Sequence, residues 1–176
     1  EGQDLEEKAF KVSAGVINKD DNFVSFGSNS QTLVVKKPFL DIALFINGKN
    51  PEDAIIYPGE SVQGEIVWKN NFLSDVQDAV VELKLSGKAL NENSIQIDRG
   101  FYRTFDKTLI WNPSSMPELG LIRPGDTDRG TFNFNVAEPL PVSNASDKNF
   151  TIAMETKIKG SSASAELGET EIQNSI

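Results

Sequence analysis

Asp126 and Asp128 sit two apart in the stretch IRPGDTDRGTFNF. Carboxylates at that spacing, joined by Asp106 or Glu60 from elsewhere in the fold, would suit a hard cation such as calcium, which takes about six to eight oxygen ligands. The run NKDDN, starting at Asn18, has a similar acidic composition. Neither stretch completes a loop of the DxDxDG type. The plainer reading is a pair of solvated acidic turns, so no metal ligand is assigned. Paired carboxylates could also cleave a glycosidic bond, but nothing in the sequence holds two of them at a working separation. The chain contains no cysteine and no histidine. Disulfides, thiolate nucleophiles and Ser-His-Asp or Cys-His catalysis are therefore excluded. No catalytic residue and no cofactor are assigned, and the chain is expected not to be an enzyme.

The aromatic residues offer a second kind of chemistry. Trp68 and Trp111 could stack on sugar rings, as in carbohydrate-binding modules. Trp68 falls on the apolar side of an alternating run, and Trp111 follows Ile110, so both are expected in the core. Tyr57 and Tyr102 lie beside turns and are the better candidates for an exposed aromatic patch. Asn144-Ala145-Ser146 and Asn149-Phe150-Thr151 match the N-glycosylation pattern. The lysines fall on polar faces or at strand ends, which speaks against a buried Lys–Asn isopeptide bond.

The elements that must carry these residues read as strands. Val62, Gly64, Ile66 and Trp68 alternate with Gln63, Glu65, Val67 and Lys69. The same period of two places Leu40, Ile42, Leu44 and Ile46 on one face, and likewise Ala79, Val81, Leu83 and Leu85. It recurs with Phe132, Phe134 and Val136, and with Phe150, Ile152, Met154 and Ile158. A shorter strand is expected at Thr108 to Trp111, and one helical turn at Pro117. Val62, Ile66, Trp68, Val81, Leu83, Phe132, Phe134, Phe150 and Ile152 are predicted to share one core. Turn signals recur at short intervals: Asn47-Gly48, Pro58-Gly59, Ser86-Gly87 and Pro124-Gly125. Many short strands with regular turns indicate an all-β antiparallel sandwich or barrel, and runs with one polar face favour the sandwich, two sheets packed face to face. Acids outnumber bases 26 to 17, for a net charge of −9, so a nucleic-acid partner is not expected. No apolar run is long enough for a membrane-spanning helix. The chain opens without Met and shows no signal peptide, so it reads as a mature or excised piece.

Two repeats are visible. IYPGESVQGEIVW from Ile56 and IRPGDTDRGTFNF from Ile122 share Ile, Pro-Gly, an acid and a Gly in the following strand. Pro presets the second position of a type II turn and Gly the third. Each unit therefore launches a strand, and two strands entering the core from the same end, in different sheets, would share such an entrance. The second repeat aligns Lys8, Phe10, Val12 and Ala14 with Lys148, Phe150, Ile152 and Met154, and SNSQTLVV with the closing ETEIQNSI. On that alignment residues 1–38 are the closing hairpin of a preceding repeat-like module, with strands at 9–17 and 32–37. Residues 39–176 are then a whole sandwich module. The hairpin's apolar face, Phe10, Val12, Val16, Leu33 and Val35, is expected to be covered by the next module or another chain. Pro38 marks the joint.

YPGESVQGEIVWKNNFLSDVQDAVVELKLSG, followed by TLIWNPSSMPELGLIRPGDTDRGTFNFNV, resembles the Ig-like tandem repeat modules of large bacterial surface proteins. These are the conserved-repeat modules grouped with DUF11 and CARDB-type adhesion domains. The resemblance covers residues 39–176, with 8–37 as a preceding module's tail. It implies an extracellular, cell-surface module that acts as stalk or adhesion spacer. Its partners would be neighbouring repeats and a cell-surface protein or glycan. A carbohydrate-binding module is the alternative, and a hydrolase fragment the third reading.

Overall fold

The computed structural model describes residues 7–34, 39–142, 150–164 and 168–175. The chain divides into two units, Glu1–Pro38 and Phe39–Ile176.

The first unit is a hairpin of β1 (Glu7–Ile17) and β2 (Phe23–Val34). The run NKDDN makes its turn. Asn18 Oδ1 accepts from the Asp20 and Asn22 N–H groups, and Asp21 takes φ 63°. That is the local bonding that lets Asn and Asp replace a backbone turn. The second strand starts well before residue 32, because the alternation from Phe23 onward pairs with β1 despite its Ser and Asn content. Residues 35–37, including Val35, and Pro38 lie outside the described residues. Phe10, Val12, Val16 and Leu33 are each at least 50% exposed. Two strands alone supply no second layer to bury them.

The second unit is an immunoglobulin-like antiparallel β-sandwich, so the chain is all-β with an additional N-terminal hairpin. Its strands are β3 (Leu40–Ile46), β4 (Ser61–Asn70), β5 (Val76–Ser86), β6 (Leu90–Ile97), β7 (Phe101–Arg103), β8 (Thr108–Trp111), β9 (Leu121–Ile122), β10 (Thr127–Val136), β11 (Ala153–Ser164) and β12 (Gly168–Ser175). One sheet has the order β3-β4-β10-β6. The other has β12-β11-β5-β8-β7, with β9 also on β5. Taking β3, β4, β5, β6, β10, β11 and β12 as A to G reproduces the A-B-E-D and G-F-C layers of the immunoglobulin constant type. The segment β7-β8-β9 is inserted between D and E. It contains a 3-10 turn at Pro117–Gly120 with Pro at its start, where the sequence placed a helical turn.

The core follows the alternation. Val62, Ile66, Trp68, Val81, Leu83, Phe132 and Phe134 are all buried. Phe150 and Ile152 differ from expectation: they precede β11 and are only half-buried, packed against the core's margin. Trp111 and Ile110 are both buried, because β8 is covered on both faces. Phe132 and Phe134 stack with ring centroids 6.4 Å apart.

The doubled Pro-Gly motif has a different explanation from the one expected. β4 and β10 are not in separate sheets; they are antiparallel neighbours, and their launching turns lie at opposite ends of one ladder. Each turn closes on itself and then on the far end of the partner strand. In the first, Glu60 N–H donates to the Tyr57 carbonyl and the Glu60 carboxylate accepts from Tyr57 N–H. Gly59 N–H then donates to the Val136 carbonyl, and Val136 N–H donates to the Glu60 carbonyl. In the second, Asp126 and Arg123 repeat the closed pair, and Gly125 and Asp126 make the matching two bonds to Asn70. The two glycines take φ 79° and 85°, a region that favours glycine. An antiparallel pair has a local twofold axis, so one motif serves both ends. The later glycines serve packing: a Cβ on Gly64 would overlap the Phe132 ring, and one on Gly130 would lie 2.6 Å from Trp111.

The longer repeat does not hold in register. If SNSQTLVV matched ETEIQNSI, Phe10, which pairs with Gln31 in the first hairpin, would correspond to the partner of Ile172. That partner is Gly160, ten residues beyond the aligned Phe150. Any two amphipathic hairpins share alternation, and alternation alone does not fix pairing.

Candidate functional site

The outward face of the four-stranded sheet carries a concavity of about 510 Å³. Pairing places its lining in two rows across the strands. Phe45, Glu65 and Thr131 lie side by side on β3, β4 and β10, and Asp98 N–H reaches the Thr131 carbonyl. Gln63, Asn133 and Gln96 form the next row, on β4, β10 and β6. The alternation that buries Val62, Gly64, Ile66, Phe132 and Phe134 points these polar side chains outward.

Local irregularities give the face its walls. On the β3 side the chain turns through Asn47 and Gly48, both at positive φ. Asn47 Oδ1 accepts from Gln63 N–H, and Asn47 N–H donates to the Gln63 carbonyl. On the other side, β6 pairs Gln96 with Asn133 but Asn91 with Asn135, so four β6 residues lie opposite one of β10. Ser94 Oγ pins this bulge, accepting from Asn135 N–H at 2.7 Å and donating to the Asn91 carbonyl at 2.7 Å. Bulges re-aim strands beside functional surfaces.

The charges at the concavity are modest. Glu65 is bonded to Arg129 Nη1 at 3.0 Å, and Asp98 lies 3.8 Å from Arg99 Nε. By contrast, among the described residues the side chains of Gln63, Gln96, Thr131 and Asn133 make no hydrogen bond to the chain. Sequence reading did not assemble this group. β6 lacks clean alternation, and only the bulge brings Gln96 and Asp98 to the face.

The acids singled out from the sequence are spent on structure. Asp126 and Glu60 cap their own turns, at opposite ends of a ladder that at roughly 3.4 Å per residue spans about 30 Å. Asp128 accepts from Arg129 N–H. Asp106 sits in the turn between β7 and β8, where Arg103 binds it through Nε at 2.9 Å and Nη2 at 2.6 Å. The Arg103 hydrogen bond holds the Asp106 carboxyl below the usual aspartate value and raises the Arg103 guanidinium in turn. Lys107, bonded to Glu92 at 2.6 Å, is likewise raised. Among the described residues no group of three or more acids is placed to hold a metal.

Of the aromatics, Trp68 and Trp111 are core residues, and Trp111 Nε1 donates to the Asp98 carbonyl at 2.9 Å. Tyr57 is exposed. Tyr102 is not the exposed platform expected of it. Its hydroxyl is enclosed without a hydrogen-bond partner among the described residues, and burial raises its pKa. Asn144 and Asn149, the glycosylation candidates, lie outside the described residues.

No family model matches the chain. No curated protein matches it either. Solved structures give several matches. The pilus backbone protein RrgB of Streptococcus pneumoniae aligns at TM-score 0.40 and 12% identity, covering 70% of this chain and 52% of its own. The bacterial hydrophobin BslA aligns at TM-score 0.37 and 19% identity, covering 78% and 91%. A GH20 exo-β-N-acetylglucosaminidase of Vibrio harveyi aligns at TM-score 0.40 and 10% identity, and the chain spans only 17% of its length.

Proposed function

We propose that the chain is a non-enzymatic, extracellular structural module of a bacterial surface protein, of the Ig-like repeat kind, serving as spacer or stalk. The observation that supports this is the latch at each end of the β4–β10 ladder. Load applied along either strand meets a turn that is closed on itself and bonded to the partner strand. A self-contained core with latched central strands keeps its length, which is what a spacer must do. Chemistry points the same way. The best-placed acids cap turns or pair with arginine, and no histidine or cysteine is available as base or nucleophile. Among the described residues no helix is long and apolar enough to cross a membrane.

Pulling the full chain from its two ends in a force spectrometer tests the reading. A spacer gives one cooperative rupture whose contour-length gain matches residues 39–176. Gradual extension without a peak would overturn the mechanical role. Turnover of a chromogenic glycoside or ester by the purified chain would overturn the non-enzymatic half.

A further inference from the structure

We propose that the concavity over β3, β4, β10 and β6 is a binding site for a neutral oligosaccharide. The inference does not depend on the spacer role. Its warrant is the state of the side chains that converge there. Elsewhere several amide and hydroxyl groups in this sandwich are committed to the chain, while others, such as those of Asn50, Asn93 and Thr104, are simply exposed. Asn70 makes three bonds, Asn112 Oδ1 accepts from the Ser114 and Ser115 N–H groups, and Ser94 pins the bulge. At the concavity four uncommitted side chains converge, Gln63, Gln96, Thr131 and Asn133, on adjacent positions of neighbouring strands. Two glutamines, an asparagine and a threonine offer donors and acceptors in near-equal number. That balance matches a polyhydroxylated ligand, in which every hydroxyl both donates and accepts. Glu65 and Asp98 add acceptors, and half-buried Phe45 supplies an apolar surface at the edge for a sugar ring's C–H face.

Charge narrows the class. The two carboxylates in the site and a net charge of −9 disfavour anionic glycans, phosphates and acidic peptides. A hydrophobic ligand would find little apolar surface, since of the lining Phe45 and Ile97 are half-buried and Phe132 is buried in the core. The volume of about 510 Å³ lies within the range of roughly 300–1,000 Å³ usual for small-molecule sites. The floor is built on two latched strands rather than on loops, so the polar groups are held in place before a ligand arrives.

The test is binding of the full chain to an array of immobilised neutral and acidic glycans, followed by NMR titration with the strongest soluble neutral hit. Binding to neutral glycans is expected, with amide shifts centred on residues 63–65, 96–98 and 131–133. Gln96→Ala and Asn133→Ala should each weaken it about fivefold to tenfold, as loss of one hydrogen-bonding side chain does. Their circular dichroism and melting should stay unchanged, since neither side chain bonds to the chain. Thr131→Arg, which fills the floor and adds charge, should abolish binding. Absence of binding to every neutral glycan on the array overturns the proposal. So does preference for acidic glycans, or shifts centred on the N-terminal hairpin. A ligand that the three variants bind unchanged places the site elsewhere and overturns it equally.

Discussion

Replacing Asn70 by Ala tests how the second Pro-Gly turn is held. Asn70 is fully buried at the end of β4, and its side chain ties three segments together. Nδ2 donates to the Ser74 carbonyl at 3.0 Å and to the Ile122 carbonyl at 2.9 Å, and Oδ1 accepts from Phe72 N–H at 2.8 Å. Its own backbone pairs with Gly125 and Asp126. In Asn70→Ala the Ile122 carbonyl is left buried and unpaired, which costs about 1–3 kcal/mol. The bonds to Ser74 and Phe72 are partly open to water, so their loss costs about 0.5–1.5 kcal/mol each. The sum lies near 4 kcal/mol, roughly 2–6 over the range. For a unit of this size about 1 kcal/mol moves the melting temperature by about 3–5 °C, so a fall of about 12–20 °C is expected. Trp68 and Trp111 are buried in the sandwich, and their fluorescence follows this unit alone. Asn135→Ala, an exposed position on the neighbouring strand, is the control and should stay within about 0.5 kcal/mol of the parent. A fall below about 5 °C for Asn70→Ala would refute the reasoning. It would mean that the backbone ladder holds the turn without the side chain.

Phe134→Ala, at a position with no solvent exposure, should cost about 3–5 kcal/mol in urea unfolding, through lost burial and the cavity left behind. Gly64→Ala should destabilise by about 1–3 kcal/mol, because its Cβ enters the space of the Phe132 ring; a neutral result in the same melt would contradict the packing described. Asp106, held low by Arg103, contributes stability that is present above the ordinary aspartate pKa and is lost as pH falls through its lowered folded value. A carbon-13 titration should therefore give Asp106 a midpoint below that of a free aspartate, and Arg103→Ala should return it toward the ordinary value. Residues 38–176 expressed alone should fold cooperatively, as judged by a single sharp fluorescence melt; an unfolded fragment would make the N-terminal hairpin part of the sandwich core.

Alternation made most of the sandwich legible. β3, β4, β5 and β10 each present one face to a hydrophobic layer, and that constraint writes a period of two into the sequence. β6 was not legible. Its run LNENSIQI carries an irregular bulge, and its side chains do not alternate cleanly in burial. Phe150 and Ile152 look like strand residues because they alternate, yet the ladder begins only at Ala153. Pairing partners were invisible for a related reason. A strand's own pattern says which side chains face inward and nothing about which neighbour it meets, so the β4–β10 pairing and the ten-residue slip in the hairpin alignment could not be read. The binding site suffered most, since it is made of the outward residues that alternation treats as mere solvent face.

The recurrence of one turn motif and the presence of a polar concavity have a common root in the β4–β10 pair. Antiparallel neighbours place each strand's start beside the other's end. A turn that caps itself with an acid side chain and offers a free N–H and C=O can therefore lock both ends of the same ladder, provided it is used twice. Glu60 and Asp126 fill the capping role, and Val136 and Asn70 receive the locks. The inward face of this pair, bearing Ile66, Phe132 and Phe134 with Gly64 and Gly130 as gaps for the rings, is fixed by close packing. Because successive side chains point to opposite faces, fixing the inward set fixes the outward set as well. Gln63, Glu65, Thr131 and Asn133 thus take their spacing from a core and two latches that none of them contributes to. Substitutions at these four positions are free to change what the face binds without changing how the sandwich folds.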